Sequence, residues 1–234
     1  MTVSGPFEIL FQDPALVLIH KPAGIVVHPG WAQDDGGVVS ALQRQLGTKV
    51  YPLHRLDRGT SGVLALALHP AAARAGALAF AHGAVEKIYL AIVRGHPPDH
   101  VHVNHALPRQ EAAERVPAVT NVYRLGVWQR YALVKACPQT GRLHQVRRHL
   151  KHLSCPVIGD ANYGKSEHNR FFRERFGLDR LALAALALRL PHPTTGQPVQ
   201  AVVAPTGSLA DCLKQMGLWP LVLEQVELAF GPNR

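Results

Sequence analysis

The chain has 234 residues, enough for one sizeable domain or two small ones with a real core, and its composition is that of an ordinary globular protein. Its net charge of +9 at pH 7 favours a polyanionic partner, nucleic acid before a membrane surface. No basic region followed by an apolar run opens the chain, Leu181 to Leu188 is too short to span a bilayer, and Cys137, Cys155 and Cys212 have no metal-type spacing. These features speak against a secreted, membrane-spanning or disulfide-built protein and imply a reducing, cytoplasmic setting.

Phe7 to Phe11 and Leu16 to Ile19 are short apolar runs around Asp13-Pro14 and predict a first pair of strands. Lys21-Pro22-Ala23-Gly24 turns the chain, and Ile25-Val26-Val27 begins another strand. Gly30 to Gly37 reads as a polar, glycine-rich loop, and Val38 to Leu46 as a helix stopped by Gly47. The stretch His54-Arg55-Leu56-Asp57-Arg58-Gly59-Thr60-Ser61-Gly62 then sets one carboxylate among cationic side chains on a glycine-bounded turn. It feeds Val63 to Leu68, an unbroken apolar run that predicts a strand covered on both faces. A polar loop entering such a strand can hold a reactive group still, and the cations beside Asp57 favour its ionised form. The local pattern leaves two readings open, a reacting carboxylate or an aspartate that caps a turn or pairs with a structural arginine.

Pro70 to His82 is alanine-rich and helical, ending at Gly83. Glu86 to Val93 alternates as a strand, with Lys87 and Tyr89 on one face and Ile88, Leu90 and Ile92 on the other. His96 to Arg115 shows no periodicity and reads as a surface excursion; His102 and His105 lack further ligands of fitting spacing, so no metal is implied. Strand patterning returns at Ala118 to Leu125 and Tyr131 to Ala136. Leu143, Val146, Leu150 and Leu153 fall at helical spacing, and His144, Arg147, Arg148, Lys151 and His152 stand away from that stripe. Such a basic face is either solvated or set against phosphates. Gly159 to Ser166 fits the G-x-x-x-x-G-K-[ST] phosphate-loop pattern. Cys155 to Ile158 before it is too short for the buried strand such a loop needs, so the match reads as coincidence. Leu209 to Phe230 is a helical segment to which the sequence assigns no role.

The segment from His54 to Gly62 resembles the signature of the RluA-type pseudouridine synthases. Further segments follow in that family's order along nearly the whole chain: Lys21-Pro22-Ala23-Gly24, Lys87-Ile88-Tyr89, Gly141-Arg142-Leu143-His144-Gln145-Val146-Arg147, and Gly159-Asp160 with Tyr163. The remainder is most similar to the tRNA pseudouridine synthase C branch. Two departures stand out: Gly59 replaces a usual proline, and Ala184 stands in Leu183-Ala184-Ala185 where the family has a histidine.

The resemblance implies an α+β fold with a mixed, mostly antiparallel sheet and flanking helices. It implies one catalytic domain over residues 1–234, with a core of about 7–205 and no separate S4-type RNA-binding module. It implies an isomerase that detaches uracil from C1′ of an RNA uridine and rejoins it through C5, without cofactor or metal. Asp57 would attack C1′ or assist glycal formation, Arg142 would pair with it, and Tyr89 would stack on the uracil. Arg55 would occupy the space vacated by the extruded base. RNA contacts would fall to Arg55, His54, Arg58, Lys87, His144, Arg147, Arg148 and Lys151. The expected partner is RNA, tRNA at the T-stem end near the acceptor stem before rRNA, with no membrane and a monomeric chain. An rRNA enzyme of the same family and a non-catalytic RNA-binding protein stand as alternatives.

Overall fold

The computed structural model describes residues 5–28, 37–108 and 114–231, so most of the loop expected at Gly30 to Gly37 lies outside the described residues. In chain order the elements are β1 (Glu8–Gln12), β2 (Leu16–Lys21), α1 (Val38–Leu46), β3 (Tyr51–Pro52), β4 (Ser61–Ala67), α2 (Pro70–Ala81) and β5 (Glu86–Arg94). Then come β6 (His100–Asn104), β7 (Leu107–Pro108), β8 (Arg115–Val116), β9 (Val119–Trp128), β10 (Tyr131–Pro138) and α3 (Gln145–His152). The chain ends with α4 (Ser166–Phe176), β11 (Leu183–Pro191), β12 (Pro198–Val202), α5 (Gly207–Gln215) and α6 (Trp219–Leu228). It divides into two compact units, Met1–Val85 with Ala187–Val203, and Glu86–Leu186 with Ala204–Arg234.

In the first unit β2 lies between β1 and β4, antiparallel to both, with Leu16 opposite Ala67 and Ile19 opposite Leu64. The short β3 also pairs with β4, and β11 and β12 form a hairpin with Leu188 opposite Ala201. All seven residues of β4 are buried, which is why its sequence runs apolar without alternation. Val63, Ala65 and Ala67 pack in one core with Leu16, Leu18 and Leu188, closed by Leu53 and Phe80. Helix α2 starts where His69 Nδ1 accepts the Ala72 N–H and Pro70 takes the first turn.

Ile25 to Val27, expected as a strand, is not one. The carbonyls of Val26 and Val27 accept the N–H groups of Val38 and Val39, the first two donors of α1. Helix α1 has no side-chain cap, so this segment is spent on satisfying its start rather than on a sheet ladder.

In the second unit β10 is flanked by β5 and β9, with Leu133 opposite both Ile92 and Gly126, and β6 pairs with the outer side of β9. β6 corrects the expectation of an aperiodic excursion. His100-Val101-His102-Val103-Asn104 alternates polar and apolar, and the strand exposes both histidines while burying Val103. The small β7–β8 pair follows; residues 109–113 of the excursion lie outside the described residues. A cluster of Tyr131, Phe172 and Phe176 holds α4, and Tyr131 bonds His168 at 2.9 Å. The C-terminal segment is also accounted for: Leu221 of α6 fills the space where Gly126 of β9 lacks a side chain. These pairings are antiparallel and make the α+β fold expected. No helix among the described residues is long and apolar enough to cross a membrane.

Candidate active site

The loop carrying Asp57 is held by its backbone. Leu53, Leu56, Thr60 and Ser61 are buried, whereas Asp57 is half-buried and Arg55 and Arg58 are exposed. A turn closes from the Thr60 N–H to the Asp57 carbonyl at 3.0 Å. Lys21, at the end of β2, is fully buried and donates from Nζ to the carbonyls of Thr60 (2.8 Å), Pro22 (2.8 Å) and Arg58 (3.5 Å). A buried ammonium is tolerated only where its donors find oxygens, and here three carbonyls surround it. Gly24 adds two more ties, its N–H reaching the Arg58 carbonyl at 2.7 Å and its own carbonyl taking Arg58 Nε at 2.9 Å. Gly24 sits at φ +92°, a conformation that favours glycine. The Lys-Pro-Ala-Gly segment is thus a clasp on the backbone beside Asp57.

His54 is tied into the fold by its ring. Its Nε2 accepts the Ala65 N–H at 3.1 Å and its ring stacks on Phe80 at 4.8 Å. Acceptance at Nε2 puts the ring proton on Nδ1.

In the second unit Lys87 and Tyr89 are half-buried on β5, and the small Ala136 stands opposite Tyr89. Lys87 Nζ donates to the Thr140 carbonyl at 3.1 Å, and burial pushes its ammonium down to about 8. The turn from Thr140 to His144 is organised by Gln145, a member of the Gly141–Arg147 segment to which the sequence assigns no role of its own. The buried amide of Gln145 accepts from Thr140 Oγ1 (2.7 Å) and the Arg142 N–H (2.9 Å), and donates to the Val119 carbonyl and Thr120 Oγ1. Arg142 is exposed, and its Nε donates to the Pro117 carbonyl at 3.1 Å.

Helix α3 divides its cations. Arg147, expected on a phosphate-facing surface, is buried and forms a fork with Asp160, Nε to Oδ2 at 2.7 Å and Nη2 to Oδ1 at 2.8 Å. Helical geometry explains the correction, since Arg147 lies three residues before the buried Leu150 and shares its side. Burial raises the Asp160 carboxyl, but the Arg147 bond and the Tyr163 and Asn162 N–H groups outweigh it and hold the acid below its usual range. His149, also unforeseen, is fully buried between Thr120 Oγ1 (2.9 Å) and the His105 carbonyl (3.0 Å). His144 bonds the Tyr163 hydroxyl at 3.1 Å, Arg148 is half-buried, and Lys151 and His152 are exposed.

The phosphate-loop match dissolves in the same region. The Asn162 and Tyr163 N–H groups turn inward to Asp160. At Gly159 a Cβ would stand 2.0 Å from the Arg180 carbonyl oxygen, and at Gly164 2.4 Å from that of Asp160. Both glycines answer to packing.

A family model described as RNA pseudouridylate synthase matches residues 15–152, and the chain belongs to that family of uridine isomerases. Among curated relatives, tRNA pseudouridine synthase C of Vibrio cholerae serotype O1 is 40% identical over 215 residues, covering 82% of this chain and 88% of the relative. The enzyme of the same name from Salmonella typhimurium is 41% identical, covering 82% and 83%. Among solved structures, human RNA pseudouridylate synthase domain containing 1 superposes with a TM-score of 0.75 at 25% identity over 98% of both chains. Human RNA pseudouridylate synthase domain containing 4 gives 0.73 at 27%, over 89% of this chain and 92% of its own.

Proposed function

We propose that the chain converts a uridine of tRNA, at the T-stem end beside the acceptor stem, into pseudouridine, with Asp57 as the reacting acid. The N1–C1′ bond breaks, the uracil turns, and C5 bonds to C1′; C5 then loses its hydrogen as a proton while N1, freed from the sugar, takes one up. Atoms are only rearranged, so no oxidant, reductant or group donor enters the balance. The observation that carries the reading is the clasp of Lys21 and Gly24 on the carbonyls of Arg58 and Thr60, which holds still the loop that presents Asp57. A carboxylate aimed by a rigid backbone, in a site that excludes water on substrate binding, acts with its charge at full strength.

Tyr89 stacks on the uracil, and Arg142 is the cation that orients the acid. Extruding the uridine from a stem costs roughly a few kcal/mol, and the planar guanidinium of the exposed Arg55 suits the vacated space. The tRNA substrate is supported by the names of the relatives at 40% and 41% identity. In this reading the enzyme acts as a cytoplasmic monomer with a single catalytic domain; the free Cys137, Cys155 and Cys212 suit a reducing compartment.

Unmodified tRNA tritiated at uracil C5 tests the proposal. The wild type releases the label, and Asp57→Asn falls to background while melting like the wild type. Release that persists in Asp57→Asn removes Asp57 from its role, and release from rRNA but not tRNA removes the substrate.

A further inference from the structure

In the second unit a pocket of about 360 Å³ opens beside the exposed side of α3. Its lining brings together Arg115, Arg148 and Lys151 with His105, His152 and Tyr163, over the apolar Leu107 and Pro108 of β7. Among the described residues no carboxylate lines it. The sequence deepens the asymmetry, because between Glu114 and Asp160 the chain carries eight lysines and arginines and not one acid.

The cations are positioned. Arg115 Nη1 donates to the Ala106 carbonyl at 3.0 Å and meets His105 Nε2 at 3.3 Å, while Arg148 Nη1 reaches the Pro108 carbonyl at 3.4 Å. The ammonium of Lys151 lies 5.7 Å from the Tyr163 ring centre, and that ring also carries the Arg147 guanidinium at 5.1 Å. His105 and His152 are stacked with ring centres 3.9 Å apart. Collecting like charges around a half-open pocket is unfavourable unless an anion joins them.

We propose that this pocket seats a phosphodiester of the RNA backbone between Arg115, Arg148 and Lys151, and that the stacked His105–His152 pair makes the grip tighten as pH falls. The inference rests on the reading of the chain as an RNA-modifying enzyme and assigns that RNA a contact outside the Asp57 loop. A guanidinium has no lone pair, so the Arg115 contact requires an unprotonated His105 Nε2. Burial, and the charges of His152, Arg115 and Arg148, hold the His105 imidazole below its usual range. From α3 the pair also meets Lys151 and the buried His149, whose Nε2 meets the His105 carbonyl. Behind Tyr163 the Arg147 charge is already matched by Asp160. Among the described residues the acid nearest in sequence, Glu114, is exposed and forms no part of the lining. A phosphate reverses the local sign and favours one added proton on the stack; a second is opposed by the first. By linkage, RNA that binds the protonated form more tightly is bound more tightly at lower pH.

The test is filter binding of an unmodified tRNA transcript to the full-length Asp57→Asn protein, which holds RNA without turning it over. Affinity is measured from 50 to 300 mM KCl and from pH 5.5 to 8. Arg148→Gln and Lys151→Gln each lower the slope of log affinity against log salt by about one, and affinity at pH 6 exceeds that at pH 8 by about three- to tenfold. A His105→Gln/His152→Gln double variant loses that pH dependence. Lys151 is exposed, so Lys151→Glu adds a charge reversal that does not threaten folding and lowers the slope further. Unchanged slopes in the Arg148 and Lys151 variants, or pH dependence that survives loss of both histidines, overturn the pocket. Tritium release by the otherwise wild-type chain then shows that the enzyme reading stands without it. A transcript bound with these slopes but never relieved of tritium keeps the pocket and overturns the enzyme.

Discussion

Two lysines of motif segments, Lys21 and Lys87, are buried to different depths and solve that burial differently. Lys21 keeps three carbonyl partners, so its removal would leave oxygens of the Asp57 loop without their donor. Lys87 has one carbonyl partner in the Thr140 turn, and burial wins, bringing it down to about 8 from an ordinary 10.5. Below pH 8 both folded and unfolded chains carry the charge. Between about 8 and 10.5 the folded chain has released a proton that the unfolded chain still holds, so stability from this group rises with pH. Wild type should therefore gain on Lys87→Met, by about 2 kcal/mol, in urea titrations run between pH 8 and 10. A constant difference across that range would mean that Lys87 keeps its proton.

Elements show where local pattern and tertiary context part company. The helices at Val38, Pro70 and Leu143 were legible from spacing, and β4 from its apolar run, because one buried face or two leaves a period in the sequence. The alternation of β6 is only five residues long and was lost among prolines and histidines, while Ile25 to Val27 looked like a strand but caps α1 through its carbonyls. The stretch from Gly159 to Ser166 is the sharpest case. Its glycines allow the chain to pass the Arg180 and Asp160 carbonyls, and Gly159 in addition adopts φ +76°. Gly159→Ala is expected to cost more than about 3 kcal/mol, combining a strained backbone with a clash that has nowhere to relax. The measurement is the urea midpoint, and a variant within about 0.5 kcal/mol of wild type would show that the turn can shift.

For the molecule as a whole, the net charge of +9 predicts that tRNA binding weakens steeply with salt. The acid-free stretch between Glu114 and Asp160 adds where that dependence should reside. Charge reversal at Lys151 should flatten the salt slope more than Arg74→Glu on the exposed side of α2; equal effects would mean that net charge alone governs binding. The sequence by itself determined the family, the α+β class and the candidate acid Asp57, because a motif of contiguous residues and the periods of buried faces survive in one dimension. Tertiary structure alone decided that Lys21 grips carbonyls up to 39 positions away, that Arg147 is committed to Asp160, and that His105 stacks on His152. Those outcomes depend on which distant side chains meet and which are shut off from water, and no local spacing encodes a meeting.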